Sequence, residues 1–157
     1  MSIRPTLSSL VIAELGGDII DSKIYEDGNG TKWLVAAVSC QNSVYDKVVV
    51  TTLTGTTFTE LRGPSSGYGL TKGQRYTFAN HAGRCYVANY ADPIWWFDTS
   101  ATSSSYDPLK HDVKNAPLCQ YLEASKSRLF AAKLVDYIFP GTFLTTKGDA
   151  STTDGIF

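Results

Sequence analysis

The sequence is poor in the residue types that most often carry out chemistry, and it has little net charge. Of its 157 residues, only two are histidines and three are cysteines. Charged residues make up 18% of the chain, with 14 lysines and arginines against 15 aspartates and glutamates. A nucleic-acid-binding surface normally shows an excess of basic residues. The sequence therefore gives no strong signal for a nucleic-acid partner.

Long apolar runs are also missing. No stretch approaches the roughly 18–20 apolar residues that are needed to cross a bilayer. The beginning of the chain, from Met1 to Pro5, lacks the basic region, apolar run and small-residue cleavage site of a secretory signal. We therefore expect no membrane partner, and we expect the protein to stay in the cytoplasm or in a particle assembled there.

The few cysteines and histidines do not form a recognisable pattern. Cys40, Cys85 and Cys119 are odd in number, far apart and without a CxxC pair, which argues against a disulfide framework and favours buried free thiols. His81 is predicted in a hairpin turn and His111 in a polar loop, with no HxH, HExxH or His-Cys cluster. We expect no catalytic residue, no metal site and no cofactor.

Two short motifs resemble functional signatures only formally. Residues 27–30 share composition with a calcium-binding loop, but they lack its alternating oxygen ligands and its closing glutamate, so a hairpin turn is favoured. Ser65 stands between Gly63 and Gly67 as in a GxSxG nucleophile motif, but the residues that follow do not predict the helix which that motif requires. We therefore predict that the protein is not an enzyme.

What the sequence does contain is a high proportion of residues that favour strands. Threonine, serine and aromatic residues are abundant, and hydrophobic residues make up 43% of the chain. Residues 119–133 could form a helix by propensity, but their place in a repeat, described next, favours a hairpin. Apolar runs bounded by turn residues predict strands at 10–14, 18–25, 32–39, 44–53, 56–61, 76–80, 84–90, 94–98, 118–123, 128–135 and 142–146.

A pattern of a polar turn, one cation and an apolar run occurs three times. The cations are Lys32, Arg84 and Arg128, which lie 52 and 44 residues apart (84 − 32 and 128 − 84). Recurrence near this period is typical of propeller blades and other repeat architectures. The sequence thus predicts an all-β fold of antiparallel meander or blade repeats, partly β-propeller-like, with a β-sandwich as the alternative.

The distance from each cation back to an apolar residue supports the repeat. Phe78 lies six residues before its cation, Leu122 also lies six before, and Ile24 lies eight before, which indicates an insertion of two in the first turn. A chance similarity among strand-turn-strand segments remains the alternative. We predict one domain over residues 1–157, with units at about 10–62, 74–107 and 117–157 and an irregular Gly/Pro/Ser linker at 62–73.

Three consecutive aromatic residues, Trp95, Trp96 and Phe97, form the sharpest local anomaly. Successive strand residues point to opposite faces, so at least one large ring is expected on each side of the sheet. Packing in the core, a protein interface and a glycan contact all fit the pattern. We take these three residues, together with Tyr68 in the linker, as candidate interface residues.

Two of the repeats resemble a known family. The run Ser127-Arg128-Leu129-Phe130-Ala131-Ala132, followed by residues 143–149, resembles the propeller-like blades of bacteriophage tail nozzle (tail tubular B) proteins. Residues 83–89, followed by 96–98, are similar to the preceding blade, and the resemblance extends over residues 74–154. Members of that family are much longer, and closed propellers have roughly four to eight blades, so this chain would be either a shortened relative or one whose sheets are completed by partner chains.

The resemblance implies a structural virion protein of a bacteriophage tail or head-to-tail connector. Its partners would be other copies of itself in a ring and other virion proteins, and its location would be the virion. The alternative is a glycan- or receptor-binding β module on a phage fibre, for which exposed rings near Asp92 and Asp98 would be the expected sign.

Overall fold

The computed structural model describes residues 15–55, 57–98 and 111–134, and these form an all-β structure. The strands are β1 (Gly17–Glu26), β2 (Lys32–Cys40), β3 (Tyr45–Thr52), β4 (Thr59–Arg62), β5 (Leu70–Thr71), β6 (Thr77–His81), β7 (Arg84–Ala88), β8 (Trp95–Phe97), β9 (Cys119–Ser125) and β10 (Arg128–Leu134). The all-β prediction is confirmed. The strands predicted at 10–14 and 142–146 lie outside the described residues.

The strands form three antiparallel sheets. Sheet A has the order β1-β2-β3-β4, with β5 also paired to β3. Sheet B has the order β6-β7-β8 and is extended at its edge by an isolated bridge between Trp95 and Asp112. Sheet C is the hairpin β9-β10, so the segment that also had helical propensity is a hairpin as the repeat predicted.

The three cations of the repeat occupy equivalent places. Lys32, Arg84 and Arg128 are each the first residue of the second strand of a sheet. In the last two hairpins, Arg84 pairs with His81 and Arg128 pairs with Ser125, each across a two-residue turn. Lys32 pairs with Glu26 across five residues, so the insertion in the first turn is three residues and not the two predicted.

The sheets stack face to face around two apolar layers. Val48 and Val50 of β3 point toward sheet B, whereas Val49 points to the opposite side, which explains an unbroken run of buried valines. The layer between sheets A and B holds Tyr25, Val35, Ala37, Val48, Val50, Leu61, Leu70, Tyr76, Phe78, Cys85, Val87, Trp95 and Phe97. The layer between sheets B and C holds Ala79, Ala88, Ile94, Cys119 and Leu122.

The outer face of sheet A has its own apolar cluster, formed by Leu15, Ala36, Val38 and Val49 with Phe58 against them. Ile24 also lies on this face and is 53% exposed. The next residue, Tyr25, points to the opposite face of β1 and is 1% exposed. A bulge in β1 between Ile19 and Asp21 changes which residues face the core.

The segment predicted as an irregular linker is ordered in part. Leu70 and Thr71 form β5 on sheet A. The Asp92 carboxylate accepts hydrogen bonds from the Thr71 N–H and hydroxyl at 2.8 Å each, and Gly73 N donates to Asp46 Oδ2 at 3.1 Å. Since Asp46 belongs to sheet A and Asp92 follows β7 of sheet B, residues 70–73 act as a clasp between the two sheets.

Candidate functional site

The aromatic run on β8 belongs largely to the core. Trp95 is 2% exposed and Phe97 is 1% exposed. The Phe97 ring packs edge-on to Tyr25, with centroids 5.3 Å apart, and its centroid is 6.0 Å from that of Trp95. Of the candidate interface residues, these two are therefore not available on the surface for a partner, and the packing interpretation accounts for them.

An arginine packs against this aromatic cluster. The Arg62 guanidinium lies 4.4 Å from the Trp95 ring centroid, and its Nη2 donates to Asp112 Oδ1 at 2.7 Å. The side chain of Arg62 is 7% exposed and that of Asp112 is 31% exposed. Arg62 therefore connects the last strand of the sheet A meander to β8 and to the bridge residue beside it.

Trp96 points to the opposite face and is half-buried. The Arg84 guanidinium lies 3.9 Å from its ring centroid, and the His111 ring meets it edge-on at 4.4 Å. Both contacts restrict the rotamers of the indole. Trp96 thus remains a partly accessible candidate, held by one of the repeat cations.

Tyr68 lies near Tyr45 and not near the aromatic residues of β8 with which it was grouped as a candidate. It is half-buried and lines an open groove with Tyr45 of β3, Val44 and Gly69. Tyr45 and Val44 are among the exposed large hydrophobic side chains. The structure thus separates Tyr68 from the β8 aromatics and places it next to residues that the sequence analysis did not single out.

The outer face of sheet C is a second exposed aromatic surface. Tyr121 is 52% exposed and Phe130 is 51% exposed. Tyr121 pairs with Ala132, and Phe130 pairs with Glu123, so these side chains share the face that points away from sheet B. Within the described ranges, β10 pairs with β9 alone and its other edge is open.

The motifs with formal resemblance to functional sites have structural roles. One Asp27 oxygen accepts hydrogen bonds from Asn29 N and Thr31 N, and the other accepts from the Trp33 indole. The indole hydrogen bond, followed by the backbone ones, holds the pKa of Asp27 below its ordinary value. Asp27 therefore organises the first hairpin turn.

The Ser65 motif lies in a loop that is fixed by Glu60. The backbone N–H groups of Ser65 and Ser66 donate to Glu60 Oε1 at 2.8 and 2.9 Å. Ser66 Oγ donates in turn to the Gly63 carbonyl at 2.9 Å. The strand-turn-helix geometry of a nucleophile elbow does not occur here, because residues 64–67 form turns that lead to β5.

The cysteines are buried free thiols, as predicted. Burial raises the pKa of Cys85 to about 12 and that of Cys119 to about 11, and it also raises the pKa of Cys40. Thiols with a raised pKa are poor nucleophiles and poor metal ligands. Across the part of the chain that is described, no group of three or more His, Cys, Asp or Glu residues is placed to hold a metal ion.

The clasp includes one buried carboxyl group, that of Asp46, which is only partly hydrogen-bonded. Asp46 is fully buried, and its Oδ1 has no hydrogen-bond partner. Burial raises the pKa of this carboxyl, and the hydrogen bond from Gly73 opposes the shift only in part. The group favours the protonated state more than an exposed aspartate does.

Comparisons with known proteins give no relative: no family model, no curated protein and no solved structure matches the chain. Among the described residues, no helix is long and apolar enough to cross a membrane.

Proposed function

We propose that the protein is a structural component of a bacteriophage tail or head-to-tail connector and that it acts by assembling with other copies of itself. The observation that carries the proposal is the stack of hairpin-led sheets that ends on an exposed aromatic face. Each inner sheet face in the stack is covered by the next sheet, whereas Tyr121 and Phe130 lie uncovered on the last.

The opposite end of the stack offers a surface of a different kind. On the outer face of sheet A, Ile19 and Ile24 are exposed, whereas the apolar cluster beside them is buried. Contact between two different surfaces of identical chains is heterologous, and it produces a ring when the rotation closes. The proposed contact therefore joins the outer face of sheet C in one copy to the outer face of sheet A in the next.

The sheet arrangement also supports the repeat on which the proposal rests. The path β1-β2-β3-β4 of the five-stranded sheet A is a meander of four strands, and Asp112 adds a single bridge beside the three strands of sheet B. Four-stranded antiparallel sheets are the units of propellers. Strand β6 lies next to both β1 and β9, so the first strands of the three sheets are neighbours.

The proposal is tested by the mass of the purified protein and by imaging. Native mass spectrometry and negative-stain microscopy of the wild type are expected to give a ring of fixed copy number. The double variant Tyr121→Ser, Phe130→Ser should shift the protein to smaller species, because it removes most of the exposed aromatic area on sheet C.

Val44→Ser is the matched control, since Val44 is exposed and apolar but lies on the β2–β3 turn. It should keep the assembly unchanged, and far-UV circular dichroism should show that all variants retain the fold. A wild type that stays monomeric at every concentration, or equal assembly by both variants, would contradict the proposal.

A further inference from the structure

An open groove lies at the turn end of sheet A. It has a volume of about 720 Å³ and lies between the β2–β3 turn and the loop that precedes β5. Small-molecule sites commonly fall in the range of roughly 300–1,000 Å³. Its walls include Asn42, Ser43 and Val44 on one side and Tyr68 and Gly69 on the other, with Tyr45 between them.

The ring of Tyr45 is held in place by a glycine. A Cβ added at Gly69 would lie 2.3 Å from Tyr45 Cγ and 2.7 Å from both Cδ atoms, so the backbone of Gly69 packs closely against the ring. Tyr45 is nevertheless 47% exposed. The groove therefore presents an aromatic platform whose position is set before any ligand arrives.

The first wall of the groove is pinned by Lys72. Its Nζ donates to the Cys40 carbonyl at 2.6 Å and to the Ser43 carbonyl at 2.7 Å, which holds the β2–β3 turn. Tyr45 N also donates to Ser43 Oγ at 3.1 Å. A turn fixed in this way loses little conformational entropy when a ligand binds.

The second wall is pinned by Glu60 and by a backbone hydrogen bond. Glu60 accepts from two loop N–H groups, as described above, and Tyr68 N donates to the Gly63 carbonyl at 3.1 Å. The charged groups of Lys72 and Glu60 are thus engaged with the backbone that forms the walls of the groove. The lining itself carries no charged side chain.

The exposed Tyr45 ring and the uncharged lining together indicate which class of ligand the groove can bind. An uncharged lining offers no charge-assisted hydrogen bond to a phosphate, a sulfate or a carboxylate, so it favours a neutral ligand. Tyrosine faces attract the C–H groups on one side of a sugar ring, because the aromatic quadrupole is negative above the ring. The Asn42 amide and the Ser43 hydroxyl can donate to and accept from sugar hydroxyls.

We propose that this groove binds a neutral oligosaccharide, with Tyr45 as the stacking platform and Tyr68 and Asn42 at its sides. The glycan contact considered for the β8 aromatics is thereby assigned to a different surface. The inference does not depend on the assembly proposal, because the groove lies on the β2–β3 turn and not on the outer faces of sheets A and C.

The test begins with a glycan array that displays neutral, sialylated and sulfated oligosaccharides, probed with the full chain. The strongest neutral binder is then titrated by isothermal calorimetry, with decaproline titrated in parallel as a peptide that also stacks on tyrosine. Saturable binding of neutral glycans is expected. Retention of acidic glycans alone, binding of decaproline alone, or no binding at millimolar concentration would each overturn the proposal.

Matched variants locate the site. Tyr45→Ala should weaken binding at least about tenfold, whereas Tyr121→Ala, which removes an equally exposed tyrosine from sheet C, should leave binding unchanged. Gly69→Ala should also weaken binding, since the new methyl group displaces the Tyr45 ring. Tyr45→Phe keeps the stacking face and should retain most of the affinity.

These variants separate a failure of the groove from a failure of the assembly. Thermal melts must first show that each variant is folded. Wild-type affinity in folded Tyr45→Ala would overturn the proposed site even if rings form, and loss of rings in Tyr121→Ala would leave glycan binding by the remaining monomer intact.

Discussion

Removal of Arg62 should produce a large loss of stability that can be divided into separate contributions. The pair with Asp112 contributes about 1 kcal/mol, because the aspartate is one-third exposed and its charge is partly screened. The contact with the buried Trp95 ring contributes about 1–2 kcal/mol, and burial of the aliphatic stem contributes about 1 kcal/mol. We therefore expect Arg62→Ala to lower the free energy of unfolding by about 3 kcal/mol.

The assay is urea unfolding followed by circular dichroism at pH 7. Arg62→Met keeps most of the stem and should cost about 2 kcal/mol, and a double-mutant cycle with Asp112→Ala should give a coupling energy of about 1 kcal/mol. For a chain of this size, Arg62→Ala should lower Tm by about 10 °C. A loss below about 1 kcal/mol for Arg62→Ala, or no coupling to Asp112, would refute the reasoning.

Three further predictions concern titratable groups. Asp46→Asn should raise stability at pH 7 in urea melts. Burial raises the pKa of the Asp46 carboxyl, so the wild type loses stability as pH rises from the ordinary value of 3.8 through the folded-state pKa, and the asparagine does not titrate. An unchanged pH profile in the variant would contradict this. Asp27→Asn should have the opposite effect. The lowered pKa of Asp27 stabilises the folded state above pH 3.8, and this stabilisation is lost on acidification. Urea melts at pH 7 should therefore show a less stable variant, and wild-type stability at that pH would contradict the prediction. The buried thiols Cys85 and Cys119 should react with a thiol reagent at pH 8 only after unfolding in urea, and rapid labelling of the native protein would show that they are accessible.

The sequence predicted the strands well because their signals are local. Alternation and turn residues placed a strand at 18–25, where β1 is Gly17–Glu26, and another at 32–39, where β2 is Lys32–Cys40. The turn at Ala82 and Gly83 has positive φ at both residues, which suits a tight hairpin. Such features depend on a few neighbouring residues and are visible without the fold.

Features that depend on distant residues were not predicted. The clasp at residues 70–73 is ordered by Asp46 and Asp92, which lie more than 18 residues away in the chain and leave no mark on the Gly-rich segment itself. In the same way, the Trp95 ring is contacted by Arg62, which comes from another sheet and lies far away in the chain.

The candidate groove escaped the sequence analysis for a related reason. Tyr68 was noticed as an aromatic residue in a flexible segment, but its partner Tyr45 was counted only as a strand residue. β5 brings the two together by pairing with β3, where Tyr45 lies opposite Thr71. A two-residue strand between loops gives no periodic signal.

The two apolar layers differ in size, which affects how the protein would respond to mechanical load. Among the described residues, thirteen buried side chains join sheets A and B, which are also fastened by the clasp, whereas five join sheets B and C. A pulling force applied to β10 should therefore peel away the β9–β10 hairpin first, while sheets A and B stay together as a stiff unit. The hairpin would then be the compliant element, able to yield and reseat without loss of the rest of the molecule.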